Sequence, residues 1–389
     1  MIMRSRQVAI TTTVLVLTVL FSACTEPNPA ERRAIRAARA NSQIVIGVGG
    51  PWATDQGAAL WSGIELGIEE IHAAGGVLGR ELAVVKKDDR NTVDRGKLIA
   101  QSFVDQPDMV AVLGHSDSFI SLPNSIMYEY YGLLMISPLS TNPKLTRQGF
   151  SRVFRTIPDD IQFGTQIARF AASRGMERVM VYHARNAYGN GLANAFEKEC
   201  ESQGIVVPDR LAYDSGSDTG TFRRDVTFWI EHFVFDGVFV AGTVPHAALF
   251  VKVVRDMGVE VGILTGQGLD TPEFLEIAGD AAEGTFVGSV FIADDTRPET
   301  RAFVETYRRR WGTVPDAAAA QGYDTVRVLA RAIEDAGCTV PDRISEALRD
   351  MTDFTGVTGM YLFDEKGDRS GCEILIKVVC DGRFERFEE

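Results

Sequence analysis

Two short polar loops carry the residues best suited to chemistry in this chain. Gly114-His-Ser-Asp-Ser-Phe119 and Ser137-Pro-Leu-Ser-Thr141-Asn-Pro each follow an apolar run and bring hydroxyls close to backbone N–H groups. Where a strand passes into a helix those N–H groups are unpaired and attract anions, so Ser118 and Thr141 are suited to holding a carboxylate or an amide. Ser and Thr are equally good helix N-caps, and capping uses the same groups. Covalent chemistry finds little support. Gly47-Val-Gly49-Gly50 lacks the third glycine of a dinucleotide fingerprint, because Trp52 stands at that position. The sequence contains no phosphate loop, no His-Glu-x-x-His and no Gly-x-Ser-x-Gly elbow, and its five histidines are scattered. Asp159-Asp160 and Asp294-Asp295 pair carboxylates, but both adjoin expected turning points of the chain and read as solvated loop charge. Ligand binding without catalysis, cofactor or metal is the expectation.

The elements that must position those loops alternate along the chain. Ile44–Val48, Leu82–Val85, Met109–Leu113 and Leu133–Ile136 are short apolar runs. Between them lie helical patterns: Leu60, Ile64, Ile68 and Ile71 at helical spacing, then Val93 to Val104, then a helix opened by Pro123. Unbroken apolar strands separated by helices predict a parallel sheet covered on both faces, with ligands gathered outside the strands' carboxyl ends. The pattern restarts after Phe154-Arg-Thr-Ile157, with strands at Arg178–Tyr182, Ile205–Val207, Asp236–Val240 and Gly262–Leu264. Helices near 298–310 and 315–336 follow, then strands at Thr358–Phe363 and Cys372–Phe387 with a turn at Asp381-Gly382. The fold class expected is α/β, with two Rossmann-like lobes built on parallel sheets.

The 389 residues suffice for two substantial cores, and a formal net charge of −13 argues against nucleic acid as a partner. At the N-terminus, Arg4 and Arg6 precede the apolar run Val14–Leu20, and Phe21-Ser-Ala-Cys24 closes it. The run is short for a membrane span and suits a signal-peptide core. It resembles a bacterial lipoprotein signal, which implies cleavage before Cys24 and acylation of that cysteine, although Phe21 replaces the usual aliphatic residue. An ordinary cleaved signal and an uncleaved anchor are the alternatives. Residues 1–23 are thus expected to be a signal peptide, and 24–42 a lipidated cysteine with a polar tether carrying a nascent helix. Four cysteines remain. Cys372 and Cys380 fall on one expected strand and are too far apart to bond, which leaves Cys338 with Cys372 or Cys380 as the expected disulfide.

Several stretches, taken in order, are similar to the branched-chain amino-acid (Leu/Ile/Val) binding proteins of the type I periplasmic solute-binding family. They are Ile46-Gly-Val-Gly-Gly-Pro51, Ile71-His-Ala-Ala-Gly-Gly-Val-Leu-Gly79, Val112-Leu-Gly-His115, Met135-Ile-Ser-Pro-Leu-Ser-Thr-Asn-Pro-Lys-Leu-Thr146, Tyr188-Gly-Asn-Gly-Leu192 and Phe363-Asp-Glu-Lys-Gly-Asp368. The resemblance spans nearly all of 43–387 and implies two lobes joined by three crossings that close on a ligand. Lobe I would comprise 43–158 and 290–366, and lobe II 159–289 and 367–389. It further implies that Ser118, the Leu139 backbone and Thr141 hold a ligand carboxylate, and that Tyr188 covers the ligand. The acid that receives the ligand's ammonium in the family aligns with Gln267, and a second tyrosine with Thr243. Asp270 or Asp117 would then have to supply the missing charge, though Asp270-Thr-Pro-Glu273 also fits a helix cap, which is the expected role. The implied function is capture of a small polar solute for an ABC-transporter permease, from a site lipid-anchored outside the cytoplasm. A sensory receptor of the same fold is the alternative.

Overall fold

The computed structural model describes residues 27–39 and 43–388. The expected signal peptide and Cys24 lie outside the described residues.

Apolar strands flanked by helices build two sheets. The first has five parallel strands in the order Glu81–Asp88, Gln43–Gly50, Met109–Leu113, Leu134–Ser137, Val153–Arg155. The second runs Arg210–Tyr213, Val179–Ala184, Gly237–Ala241, Gly262–Thr265, Thr285–Ser289, all parallel, and is completed by the antiparallel hairpin Leu375–Cys380 and Arg383–Arg386. In both parallel blocks the chain starts in the second strand, steps to the edge, then crosses to the other side. That reversal creates a switch point in each lobe, where two neighbouring loops diverge and leave a crevice. A three-stranded antiparallel sheet, Phe354–Gly356, Gly359–Phe363 and Arg369–Ser370, lies beside the crossings.

The chain passes between lobes after Arg155, after Ser289 and before Leu375. The last passage differs from expectation. Residues 367–370, expected to open the final segment of lobe II, are held to the first lobe instead. The Arg155 N–H donates to the Gly367 carbonyl, the Arg155 guanidinium pairs with Asp368 at 2.6 Å, and Arg369–Ser370 pairs with Gly359–Phe363.

Other differences have local causes. The helix expected to open at Pro123 begins at Ser118 and carries Pro123 inside it, at the cost of one backbone hydrogen bond. Ile205–Val207 contributes only an isolated bridge between Val206 and Arg178, and the edge strand forms after Pro208, at Arg210–Tyr213. Helix Pro341–Asp350 was not foreseen. The four cysteines, expected to include one disulfide, are all free. The Cys372 sulfur sits 3.8 Å from the Thr358 carbonyl, and Thr358 is bonded to Asp324 on helix Ala317–Ala336. Cys338 lies fourteen residues further along, beyond that helix's end, or about 20 Å away.

The tether is also more structured than expected. Asn28 and Glu31 form a reciprocal capping box that starts helix Pro29–Ala37. Buried Arg33 docks this helix by donating to the carbonyls of Val104, Gln106, Met109 and Tyr131 at 2.7–3.0 Å. Two of these acceptors end helices Val93–Val104 and Ser118–Tyr130, where carbonyls lack intrahelical partners.

Candidate functional site

Both switch points open onto the same cleft. From the first lobe come the loop after Gln43–Gly50 and the turn into helix Ser118–Tyr130. From the second come the start of helix Ala187–Gln203 and the loop after Gly237–Ala241. An inner cavity of about 20 Å³ is lined by Ser118 and Leu139 on one side and by Tyr188, Thr243 and Gln267 on the other. An outer chamber of about 350 Å³ adjoins it, sharing Gln56, Asp117 and Thr243. The inner cavity has room for about one water molecule, and the outer chamber has the larger volume.

Ser118 is the first residue of its helix, is 2% exposed, and accepts the Asn142 N–H through its hydroxyl at 3.2 Å. Thr141 is fully buried and is not among the residues that line the cavity; its carbonyl accepts the Asp160 N–H at 2.8 Å while its hydroxyl lacks a hydrogen-bond partner. Buried Arg155 fixes the loop that carries Thr141, donating to the carbonyls of Ser140 and Asn142 while paired with Asp368. In the second lobe the Tyr188 hydroxyl accepts from the Gly268 N–H at 3.1 Å, tying two ligand-facing loops together. Burial and nearby Asp160 keep that phenol far from ionising. Gln267 opens a short turn, half-buried, and reaches the inner cavity.

Asp270 departs from both roles anticipated for it. Thr271, not Asp270, holds the N-cap position of the helix that follows, without a side-chain capping bond, and the Asp270 carboxylate instead pairs with Lys377 at 2.7 Å and accepts from the Ser289 hydroxyl, with both ionic side chains nearly buried. Its charge is already neutralised.

Asp159 and Asp160 are not solvated either. Asp159 is 2% exposed, caps helix Asp160–Ser173 through the Gln162 N–H and pairs with Arg147. Asp160 is fully buried, and neither carboxylate oxygen completes a hydrogen bond. Burial pushes its carboxyl up to about 8, outweighing the attraction of the nearby Arg155 guanidinium. Asp294 is exposed as expected, while Asp295 is partly buried against Arg297 and Arg386.

Sequence reasoning missed Gln56 and Ser116, which line the inner cavity from the first lobe. Gln56 follows the helix start at Asp55, and Ser116 sits inside the polar loop, so position at the switch point was the available signal. Among the described residues no His, Cys, Asp and Glu cluster has metal-binding geometry.

Residues 44–382 match the model of a family described as periplasmic binding protein. A Leu/Ile/Val-binding protein homolog from Brucella suis is 31% identical over 336 residues, covering 84% of this chain and 88% of that protein. An ABC-transporter substrate-binding protein from Desulfitobacterium hafniense, solved in complex with Leu, is 39% identical with a TM-score of 0.79, covering 89% of this chain and all of the other. A leucine-binding protein from Thermotoga maritima is 31% identical with a TM-score of 0.83, covering 89% of this chain and 98% of the other. The similarity runs through both lobes and both faces of the cleft, and the chain belongs to the periplasmic binding protein family, as an extracytoplasmic protein that captures small solutes.

Proposed function

We propose that this protein captures an amino acid, or a carboxylate or amide of similar size, and delivers it to the permease of an ABC transporter. One observation carries the reading: two switch points face each other across a cavity whose first-lobe wall ends in the Ser118 hydroxyl and helix N-terminus. Unpaired N–H groups and hydroxyls there suit a carboxylate. Ser118, Leu139 and Thr141 hold that end of the solute, and Tyr188, Thr243 and Gln267 close over it from the second lobe. The relative from Desulfitobacterium hafniense, bound to Leu, supports an amino acid as the solute class. A ligand that touches both lobes favours the closed form, and a permease reads that form as loaded. Acylated Cys24 holds the protein at the membrane.

A thermal-shift screen over the standard L-amino acids, their amides and their desamino acids tests the reading. A solute present at a hundred times its dissociation constant stabilises by about 2.7 kcal/mol. Stabilisation by at least one amino acid, reduced in Ser118→Ala, is the expected result. Stabilisation only by solutes lacking a carboxylate or amide group removes it.

A further inference from the structure

Asp117 occupies the N-cap position of helix Ser118–Tyr130 yet does not cap it. Three other helices start with an aspartate at that position, and in each the carboxylate accepts a backbone N–H of its own helix: Asp159 from Gln162, Asp218 from Thr221, Asp316 from Ala319. Asp117 has comparable extended backbone angles, φ −91° and ψ 137°, but makes no such bond, and no described lysine, arginine or histidine pairs with it. Asp117 instead lines both the inner cavity and the outer chamber. Beside it Ser116, 4% exposed and lining the same inner cavity, has a buried hydroxyl with no partner. A preferred capping residue that leaves its cap unmade, next to an orphaned hydroxyl, marks a place where a ligand supplies the missing partner.

The sign of that partner follows from the surroundings. The titratable groups facing Asp117 are Asp55 and Asp89 on its own lobe and Tyr188 and Glu273 on the other, and none is cationic. His115, one residue removed from Ser116, is already engaged by Asp89 at 2.7 Å. To the inner cavity the second lobe offers only neutral groups, Tyr188, Thr243 and Gln267, while Glu273 borders the outer chamber and Asp270 is spent on Lys377.

We propose that Asp117 is the specificity-determining anion of the site and receives the ammonium group of the bound amino acid. The proposal rests on the amino-acid reading above. It places both charged ends of the ligand on adjacent residues of one lobe: carboxylate at Ser118, ammonium at Asp117. A zwitterion is then satisfied on the first lobe before closure, and the second lobe adds cover rather than charge. Binding is also coupled to protons. Burial, reinforced by Asp89, pushes the Asp117 carboxyl up to about 7, and only its ionised form attracts an ammonium.

Calorimetry on the full protein tests this, using the tightest-binding standard L-amino acid and its desamino acid. Wild type is expected to prefer the amino acid by about tenfold or more, and Asp117→Asn to lose that preference while still binding the desamino acid. Wild-type affinity for the amino acid should weaken about thirtyfold from pH 8.5 to pH 5.5, as the competent fraction falls, and affinity for the desamino acid should not weaken with it. The pH series needs no variant and stands even if Asp117→Asn fails to fold. Equal binding of the two solutes by wild type, or an unchanged preference in Asp117→Asn, overturns the role of Asp117 and leaves carboxylate capture standing. Absence of binding by any amino acid overturns both.

Discussion

Lys377 and Asp270 form an ion pair that should behave as a structural unit of the second lobe, separable from ligand recognition. Their charged atoms are 2.7 Å apart and their side chains are 6% and 3% exposed. At an effective dielectric of about 20 the gross attraction is about 6 kcal/mol, most of it offset by the cost of taking both ions out of water. Removing one partner exposes that cost. Lys377→Met leaves Asp270 buried near Asp316, whose own carboxyl is already pushed up to about 6, by burial first and then by Asp270. The expected loss is about 3–5 kcal/mol. The double variant Asp270→Asn, Lys377→Met removes both charges and should recover most of it, giving a coupling energy of about 2 kcal/mol or more. Guanidinium unfolding followed by circular dichroism measures all four corners of the cycle. A loss under about 1 kcal/mol for Lys377→Met, or additive single variants, would refute the argument. The same proteins check the site: Asp270→Asn should retain its preference for an amino acid over the desamino acid, because Asp270 does not face the ligand with a free charge.

Asp160→Asn should stabilise the protein at alkaline pH. A carboxyl raised to about 8 in the fold and ordinary when unfolded contributes most below about pH 4, and that contribution is lost as pH rises towards 8. The variant should therefore flatten the decline in Tm between pH 5 and pH 9, and an unchanged slope would exclude Asp160 as its source. Gly191→Ala should weaken ligand binding, because a Cβ there would collide with the Asp160 carboxylate and the Asn142 amide, whose Nδ2 donates to the Ala187 carbonyl across the lobes. Overpacking of this kind costs about 1–3 kcal/mol, read as a rise in Kd by calorimetry, and unaltered affinity would show that the contact yields freely. Arg33→Ala should undock helix Pro29–Ala37 and make it sensitive to trypsin, with resistance equal to wild type counting against the four carbonyl bonds as its anchor.

Much of the architecture is visible in the pattern of residues, because it depends on local rules that repeat. Strands such as Met109–Leu113 and Gly237–Ala241 are unbroken apolar runs, and every residue in them is buried. A polar loop at the carboxyl end of such a run has one place to go in a parallel sheet. For this reason Ser118, Leu139, Tyr188, Thr243 and Gln267, far apart in sequence, meet around one cavity. The errors lie partly in local breakers and mostly where a distant group decides. Pro208 ends one apolar run and moves the edge strand past itself. Asp159-Asp160 looks like loop charge until the Thr141 segment covers it. Arg33 sits in a stretch of alanines and arginines that gives no hint of four carbonyls waiting on the first lobe.

The two candidate acids show the same limit most clearly. By local pattern Asp270 is the better capping residue, with proline and glutamate following, and Asp117 is merely one polar residue among several. In the fold neither caps a helix. What an acid does is set by the nearest cation that can reach it. Lys377, 107 residues away, reaches Asp270 across neighbouring segments of the second lobe, and that charge is spent. No described cation reaches Asp117, because the groups around it are acids, hydroxyls and amides from both lobes. An unneutralised carboxylate at the edge of a cleft costs free energy unless something positive enters. In a protein whose task is to hold a solute, that cost favours the bound state, which is the physical ground for proposing Asp117 as the source of selectivity for an ammonium.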